Sequence, residues 1–247
     1  MARTKEDDAD DRADPLNALR RARFLASRGM DEAALEQLLW CLDHGATIDP
    51  SFSSVRRTSV LAEIAHLGID YAPAVSALAV RRDEAESHIV TGEVDSAVVH
   101  DLVALNRALG MCERTVGIFE SLRLGTTSQR RARRIILPLI IEELVNSKSY
   151  SSILSAVGDA ILEVDFLLSC HAKWRSHCEA HAQPAAARVA GDAASTLRLV
   201  ACYYEALVAL GHHAESDRVL QMTIAALPAL DVRSVLGDAE ARARQPT

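Results

Sequence analysis

The stretch Leu16–Gly45, LNALRRARFLASRGMDEAALEQLLWCLDHG, contains two apolar patterns of helical period joined by a short polar connection. The apolar stripe of the first pattern is Leu16, Leu19, Ala22 and Leu25, and that of the second is Ala34, Leu35, Leu38, Leu39 and Leu42. Asp14 and Pro15 favour a helix start before the first pattern, and Gly29 favours its end. Because about three residues join the two helices, they must lie antiparallel. The sequence therefore predicts an α-α hairpin that ends at Gly45.

The remaining sequence repeats these helix signals. The further helices that we predict span residues 50–67, 73–91, 95–109, 113–122, 128–145, 149–182, 184–210, 212–227 and 231–243. Pro138 should kink one of them, and residues 149–182 form either the longest helix or two helices with a break near Gly158. No stretch alternates with period two between turn signals, so we expect no sheet. The prediction is an all-α protein of about ten or eleven helices.

The helices are expected to form one domain over residues 14–243. The preceding residues 1–13, MARTKEDDADDRA, are acidic and have almost nothing to bury, so we expect a disordered tail. Residues 244–247 are expected to be a frayed C-terminus. Apolar residues make up 49% of the chain but aromatic residues only 4%. The core must therefore be built mainly from Ala, Leu, Val and Ile.

Charge and cysteine content narrow the class of protein. The formal net charge of −7 is unfavourable for non-specific binding to nucleic acid, which needs an excess of Lys and Arg. The five cysteines are scattered and form no CxxC pair, so we expect reduced thiols and no disulfide framework. The longest apolar stretch, Ile135–Ile141, is far shorter than the ~20 residues that cross a bilayer. We therefore expect a cytoplasmic, bacterial-type protein with no membrane partner.

The two terminal hairpins resemble tetratricopeptide (TPR) repeats. That pattern places a Gly between two helices, a small residue five positions later and a bulky one four beyond that. The positions that fit are Gly29, Ala34 and Leu38 in the first hairpin, and Gly211, Ser216 and Leu220 in the second. Pro228, after the last helix of the second hairpin, also fits the pattern. The resemblance implies a TPR-like array of α-α hairpins, an α-solenoid, that binds another protein. A compact helical bundle with coincidental spacing is the alternative fold.

A cluster of cysteines and histidines between residues 170 and 181 could bind a metal. On a helix, Cys170, His177, Cys178 and His181 lie toward one side, and the two histidines are spaced i, i+4. The run HCEAH is not the HExxH of metalloproteases, because its Glu is displaced by one position. These residues therefore either form a structural zinc site or belong to a helix face that is simply buried. A metal-stabilised helical protein is one alternative to the function predicted below.

Catalytic motifs are absent from the sequence. Asp43 and His44 could orient a nucleophile, but no GxSxG motif supplies one. Neither GxxxxGK[ST] nor GxGxxG occurs, so a nucleotide-dependent enzyme is disfavoured. We predict a protein that is not an enzyme and has no cofactor.

Arginines recur in pairs and in one longer run. The run consists of Arg130, Arg131, Arg133 and Arg134. It could meet phosphate or anionic lipid, which makes an arginine-dependent nucleic-acid or membrane adaptor the second rival function. No aromatic residues interleave with the run, which disfavours binding of single strands.

The function predicted from these features is a non-enzymatic protein–protein interaction module. A groove on the helical array would receive a partner helix or an extended peptide, oriented by charged side chains. The residues that we expect to contribute to partner binding are Trp40, Arg56, Arg57, Arg81 and Arg82. The sequence leaves the oligomeric state open.

Overall fold

The computed structural model describes residues 14–180 and 186–245, and these ranges contain helices and no strand. The helices of seven residues or more in them are α1 (Pro15–Ala26), α2 (Asp31–Ile48), α3 (Leu61–Leu67), α4 (Ala72–Thr91), α5 (Ser96–Ala108), α6 (Cys112–Ser121), α7 (Thr127–Asn146), α8 (Tyr150–Val157), α9 (Ala160–Ala180), α10 (Ala186–Ala209), α11 (His213–Ala226) and α12 (Val232–Ala243). The predicted all-α class is therefore confirmed. The predicted tail, residues 1–13, lies outside the described residues.

The chain divides into two compact units. The first unit comprises the residues up to Ile118 together with Gly125–Ala132, and the second comprises Phe119–Leu124 together with the residues from Arg133 onward. A single domain over residues 14–243 therefore stays a prediction. None of the described helices is long and apolar enough to span a membrane.

The two predicted helices of the N-terminal hairpin are present. The Asp14 carboxylate accepts a hydrogen bond from the Leu16 N–H at 2.8 Å and so caps α1. Gly29, in the connection, has a φ of 70°, a conformation that glycine adopts without strain. The Cys41 thiol, in the C-terminal half of α2, lies 3.6 Å from the carbonyl oxygen of Pro15 at the start of α1. The two helices are therefore antiparallel and in contact.

The predicted end of α2 at Gly45 is wrong, because the helix continues to Ile48. Gly45 is needed for a close approach instead. A Cβ at this position would lie 2.5 Å from the Phe52 ring and 3.3 Å from Cβ of Pro15. The predicted stripe of α1 is also shifted, since Leu16 is exposed while Ala18 is buried.

Residues 50–67 do not form the single regular helix that the sequence predicts. A 3₁₀ turn (Pro50–Phe52) leads into one α-turn (Ser53–Val55) and a π-helical turn (Arg56–Val60), and α3 follows. Within the π-helical turn, the Thr58 hydroxyl donates to the carbonyl oxygen of Ser54 at 2.8 Å. Such π-turns are rare and occur frequently at functional sites. This one carries two of the arginines that the sequence analysis singles out.

The core of the first unit is almost entirely aliphatic, as the composition predicts. Its buried cluster consists of Ala18, Leu19, Ala22, Leu35, Leu38, Cys41, Leu42, Phe52, Val60, Leu61, Ile64, Ala74, Leu78 and Leu105. Phe52 is the one aromatic residue in this cluster. Residues from α1 to α5 contribute to it, so the same packing fixes the helices that surround the candidate site.

In the second unit, α10 is the central helix and contacts α8, α9, α11 and α12. Every residue from Val200 to Leu207 is buried, on all sides of the helix, as expected for a helix surrounded by others. Glu205, in this stretch, accepts hydrogen bonds from the Tyr150 hydroxyl at 3.0 Å and from Nε of Arg242 at 2.9 Å. Its buried charge is therefore paired.

The predicted helix boundaries of the second unit that fall among the described residues are close to those observed, while the predicted boundaries at residues 182 and 184 lie outside them. Gly158 separates α8 from α9 with a φ of 77°, which confirms the two-helix alternative for residues 149–182. Gly211 separates α10 from α11 with a φ of 79°, and Ser216 of α11 is buried.

Candidate binding pocket

The first unit contains a cavity of about 220 Å³ between α2, the π-turn, α3, α4 and α5. Its lining residues are Leu42, Asp43, Arg56, Arg57, Leu61, Arg81, Glu84, Ala85, His88, Val98, Asp101 and Leu105, and we call it the arginine pocket. One part of the lining is charged and the other is aliphatic. Three of the five residues predicted to bind a partner, Arg56, Arg57 and Arg81, therefore lie in one cavity.

Asp101 holds the two arginines of the π-turn. Its Oδ1 accepts a hydrogen bond from Nε of Arg57 at 2.7 Å, and its Oδ2 pairs with Nη2 of Arg56. Nη1 of Arg56 also donates to the carbonyl oxygen of Leu42 at 3.0 Å. The side chains of Arg56 and Arg57 are 18% and 27% exposed. These two guanidinium groups are therefore fixed in orientation, while part of each side chain stays accessible.

Asp43 holds the third arginine in the same manner. Nε and Nη2 of Arg81 donate to the two carboxylate oxygens of Asp43 at 3.0 and 2.6 Å. This bidentate hydrogen bonding raises the pKa of Arg81 above its ordinary value. Asp43 is therefore paired with Arg81 on α4. The sequence analysis considered Asp43 and His44 as a pair that could orient a nucleophile, but the carboxylate of this pair makes a structural contact with Arg81.

The arginine pocket has more hydrogen-bond donors than acceptors. Each guanidinium carries five N–H groups, and the three together make seven hydrogen bonds to protein atoms. Each of the four carboxylate oxygens of Asp43 and Asp101 already accepts from one of these arginines. The pocket is therefore prepared for a group that accepts hydrogen bonds.

The other two residues predicted to bind a partner do not line the pocket. Arg82 is 5% exposed, and it donates to Asp83 at 2.7 Å and contacts the sulfur of Met111. Trp40 packs against the core cluster of the first unit, with its ring 6.0 Å from that of His44. Their role in partner binding stays a prediction, and the proposal below does not use it.

The sequence analysis missed Asp101. A signal was present, because Asp101 lies three positions after Val98 and four before Leu105, on the apolar stripe of α5. An acidic residue inside such a stripe indicates a buried partner of opposite charge. The partners are Arg57 and Arg56, which lie 44 and 45 residues away in sequence. A local sequence pattern cannot identify partners at that distance.

Three of the four candidate metal ligands, Cys170, His177 and Cys178, lie in the described part of the second unit. Cys170 is exposed and Cys178 is buried, while the ring of His177 stacks on Trp174 with centroids 6.1 Å apart. His181 lies outside the described residues. Within residues 14–180 and 186–245, no group of three or more His, Cys, Asp or Glu side chains could hold a metal ion.

A buried histidine that the sequence analysis did not select lies in the same stretch. His171 is 5% exposed, and its Nδ1 is 2.6 Å from Oδ2 of Asp192 on α10. This hydrogen bond joins α9 to α10 and gives the buried ring a polar partner. We assign it a structural role.

The predicted basic run does not present all its charges to solvent. Arg133 is 4% exposed, with its guanidinium 4.4 Å above the Phe119 ring. It also donates to the carbonyl oxygen of Ser152 and the hydroxyl of Ser155, both at 3.0 Å, and burial lowers its pKa. In the same unit, Arg134 pairs with a carboxylate, that of Glu163, at 3.2 Å. A basic surface built from this run therefore has fewer free charges than the sequence indicates.

The arginine pocket is thus the cavity in which most of the predicted binding residues meet. Its chemistry is that of fixed donors beside aliphatic side chains. Comparisons with protein-family models, with curated proteins and with solved structures found no match.

Proposed function

We propose that this protein is a non-enzymatic interaction module and that its arginine pocket binds a short segment of a partner protein. The observation that carries this proposal is the surplus of oriented arginine donors in the pocket. Charge-assisted hydrogen bonds from guanidinium groups are among the strong ones in proteins, and they select the geometry of the acceptor.

Preorganisation supports a binding role for these arginines. A free arginine side chain loses rotamer freedom when it binds, which costs about 0.5–1.5 kcal/mol for each side chain that is ordered. Asp101 and Asp43 already order Arg56, Arg57 and Arg81 through direct hydrogen bonds. Much of this cost is therefore met when the protein folds.

The aliphatic part of the pocket supports the same role. Leu61 and Leu105 are buried at its floor, and Val98 is half-buried beside them. An apolar side chain from a partner can lie against this floor while its polar groups meet the arginines. Pockets of this mixed kind are typical of ligand recognition.

We further propose that the helices are TPR-like hairpins. In the first hairpin, Ala34 is fully buried and Leu38 nearly so, at the predicted contact positions. In the second, Ser216 is 4% exposed. Small residues at these positions let paired helices approach closely. A solenoid arrangement and a cytoplasmic location remain predictions.

Selection on the full chain of peptides from a random display library that presents free peptide C-termini tests the proposed function. Enriched peptides should bind the wild-type protein, and Arg57→Ala should weaken binding about tenfold or more. Arg20→Ala is the matched control, because Arg20 is an exposed arginine of the same unit that does not line the pocket. The proposal fails if no peptide is enriched, or if Arg57→Ala binds the enriched peptides as well as Arg20→Ala does.

A further inference from the structure

We propose that the arginine pocket selects a singly charged carboxylate that is attached to a short aliphatic group. This inference rests on the proposed function and specifies its ligand chemistry. It follows from the donors that remain free, the charge of the lining, the size of the cavity and the nature of its floor.

Arg57 offers the donors that a carboxylate needs. Its Nε is bound to Asp101, and its Nη2 makes only a long hydrogen bond of 3.4 Å to the carbonyl oxygen of Ala97. Its Nη1 has no acceptor among the described residues. Nη1 and Nη2 form one edge of the planar guanidinium, and such an edge matches the two oxygens of a carboxylate.

The charge of the lining favours a monoanion over a phosphate dianion. The three arginines are balanced by three carboxylates, those of Asp43, Asp101 and Glu84. Glu84 is exposed at the pocket and makes no hydrogen bond or ion pair among the described residues. The three arginines therefore leave no excess positive charge to offset the greater desolvation cost of a doubly charged group.

The size of the cavity suits a small group. Its volume of about 220 Å³ has room for a carboxylate together with a branched aliphatic side chain. The aliphatic group would lie against Leu61, Val98 and Leu105, which form the apolar side of the same cavity.

Two sources can present this chemistry. One is the C-terminal residue of a partner chain, and the other is a free aliphatic acid. The first is the source expected if the proposed function is correct. The two are distinguished by whether a peptide attached to the terminal residue adds affinity.

Titrations followed by NMR of the full-length protein test the inference with defined probes. N-acetyl-leucine should shift the backbone amide signals of Arg57 and Val98 in a saturable manner. N-acetyl-leucinamide, which lacks the charge, and N-acetylglycine, which lacks the aliphatic group, should each bind about tenfold more weakly or worse. Inorganic phosphate should not compete with N-acetyl-leucine.

Four variants connect the binding to specific side chains. Arg57→Ala should remove saturable binding of N-acetyl-leucine, Arg57→Lys should restore part of it, and Arg20→Ala should leave it unchanged. Glu84→Gln should strengthen binding severalfold, because it removes a negative charge at the pocket that makes no hydrogen bond to the arginines. This gain cannot arise from loss of folding, so the inference stays testable even if Arg57→Ala is unstable.

The inference is overturned if the amide binds as well as the acid, if phosphate binds more tightly, or if N-acetyl-leucine does not bind. Its failure is distinguishable from failure of the proposed function. Display-selected peptides that depend on Arg57 but tolerate C-terminal amidation would leave the proposed function standing and refute the inference. Binding of N-acetyl-leucine with no gain from an attached peptide would support the carboxylate chemistry and refute a peptide-binding function.

Discussion

Replacement of Gly45 by alanine should destabilise the protein, although alanine is the better helix former. Gly45 lies inside α2, where Gly→Ala normally gains about 0.8–1.0 kcal/mol of helix propensity. Here the new Cβ would lie 2.5 and 2.6 Å from Cδ1 and Cε1 of Phe52, and 3.3 Å from Cβ of Pro15. Carbon atoms attract one another best at about 3.5–4.0 Å, so the ring must move.

The magnitude follows from how little room Phe52 has. Its side chain is 1% exposed within the core of the first unit, so it cannot turn into solvent. Overpacking of such a core typically costs about 1–3 kcal/mol, and the contact with Pro15 places this site near the upper end. After subtraction of the propensity gain, we expect Gly45→Ala to lower the free energy of unfolding by about 1–2 kcal/mol.

Urea unfolding followed by circular dichroism measures this difference. Gly237→Ala is the matched control, because Gly237 lies inside α12 with nothing within 4 Å of its added Cβ. The control should be stabilised by about 0.5–1 kcal/mol. In a Phe52→Leu background, Gly45→Ala should cost less than in the wild type. Equal effects of the two glycine substitutions would refute the close packing of α2 against Phe52.

Further predictions concern buried groups. Glu205→Gln should lower the free energy of unfolding, measured in urea, by about 2 kcal/mol, because the charge-assisted hydrogen bond from Arg242 is lost; an unchanged midpoint would contradict this. Burial and the hydrogen bond to Glu205 raise the pKa of Tyr150 to about 12. As the pH rises, the Tyr150 hydroxyl is therefore deprotonated in the unfolded chain before the folded one, so the free energy of unfolding should fall from about pH 10 to pH 12. Tyr150→Phe should make this fall shallower. An equal slope in the variant would contradict the prediction. Burial raises the pKa of the Cys41 thiol to about 11, so iodoacetamide at pH 8 should alkylate the exposed Cys170 long before Cys41, and mass spectrometry of the digested protein checks the order.

Local signals in the sequence predict most of the helix boundaries. Asp14 caps α1 because a short acceptor side chain satisfies a free N–H group at a helix start. Gly92 and Gly211 follow helix ends with positive φ, which other residues adopt only with strain. These effects act within one turn of helix, so the local sequence is enough to predict them.

Tertiary packing decides the features that the sequence does not predict. Gly45 carries the same local signal as Gly92, but its neighbours Phe52 and Pro15 require a small residue inside a continuing helix. The π-turn at Arg56–Val60 likewise has no composition that distinguishes it from an α-helix.

The candidate site could be predicted only in part for the same reason. Arginine pairs are visible in the sequence, but Arg81 lines the pocket while its neighbour Arg82 is buried elsewhere. Which of two adjacent arginines faces a cavity depends on the rotation of α4 against its neighbours. The partners Asp43 and Asp101 are brought to them by contacts about 40 residues apart.

Photo-cross-linking tests the central claim most directly. N-acetyl-photoleucine, which carries the carboxylate and a reactive aliphatic group, can be irradiated with the full-length protein and its attachment sites mapped by mass spectrometry. We predict cross-links at the apolar floor of the arginine pocket, at Leu61, Val98 or Leu105, that Arg57→Ala abolishes. Cross-links confined to the second unit, or a pattern that Arg57→Ala leaves unchanged, would contradict the account.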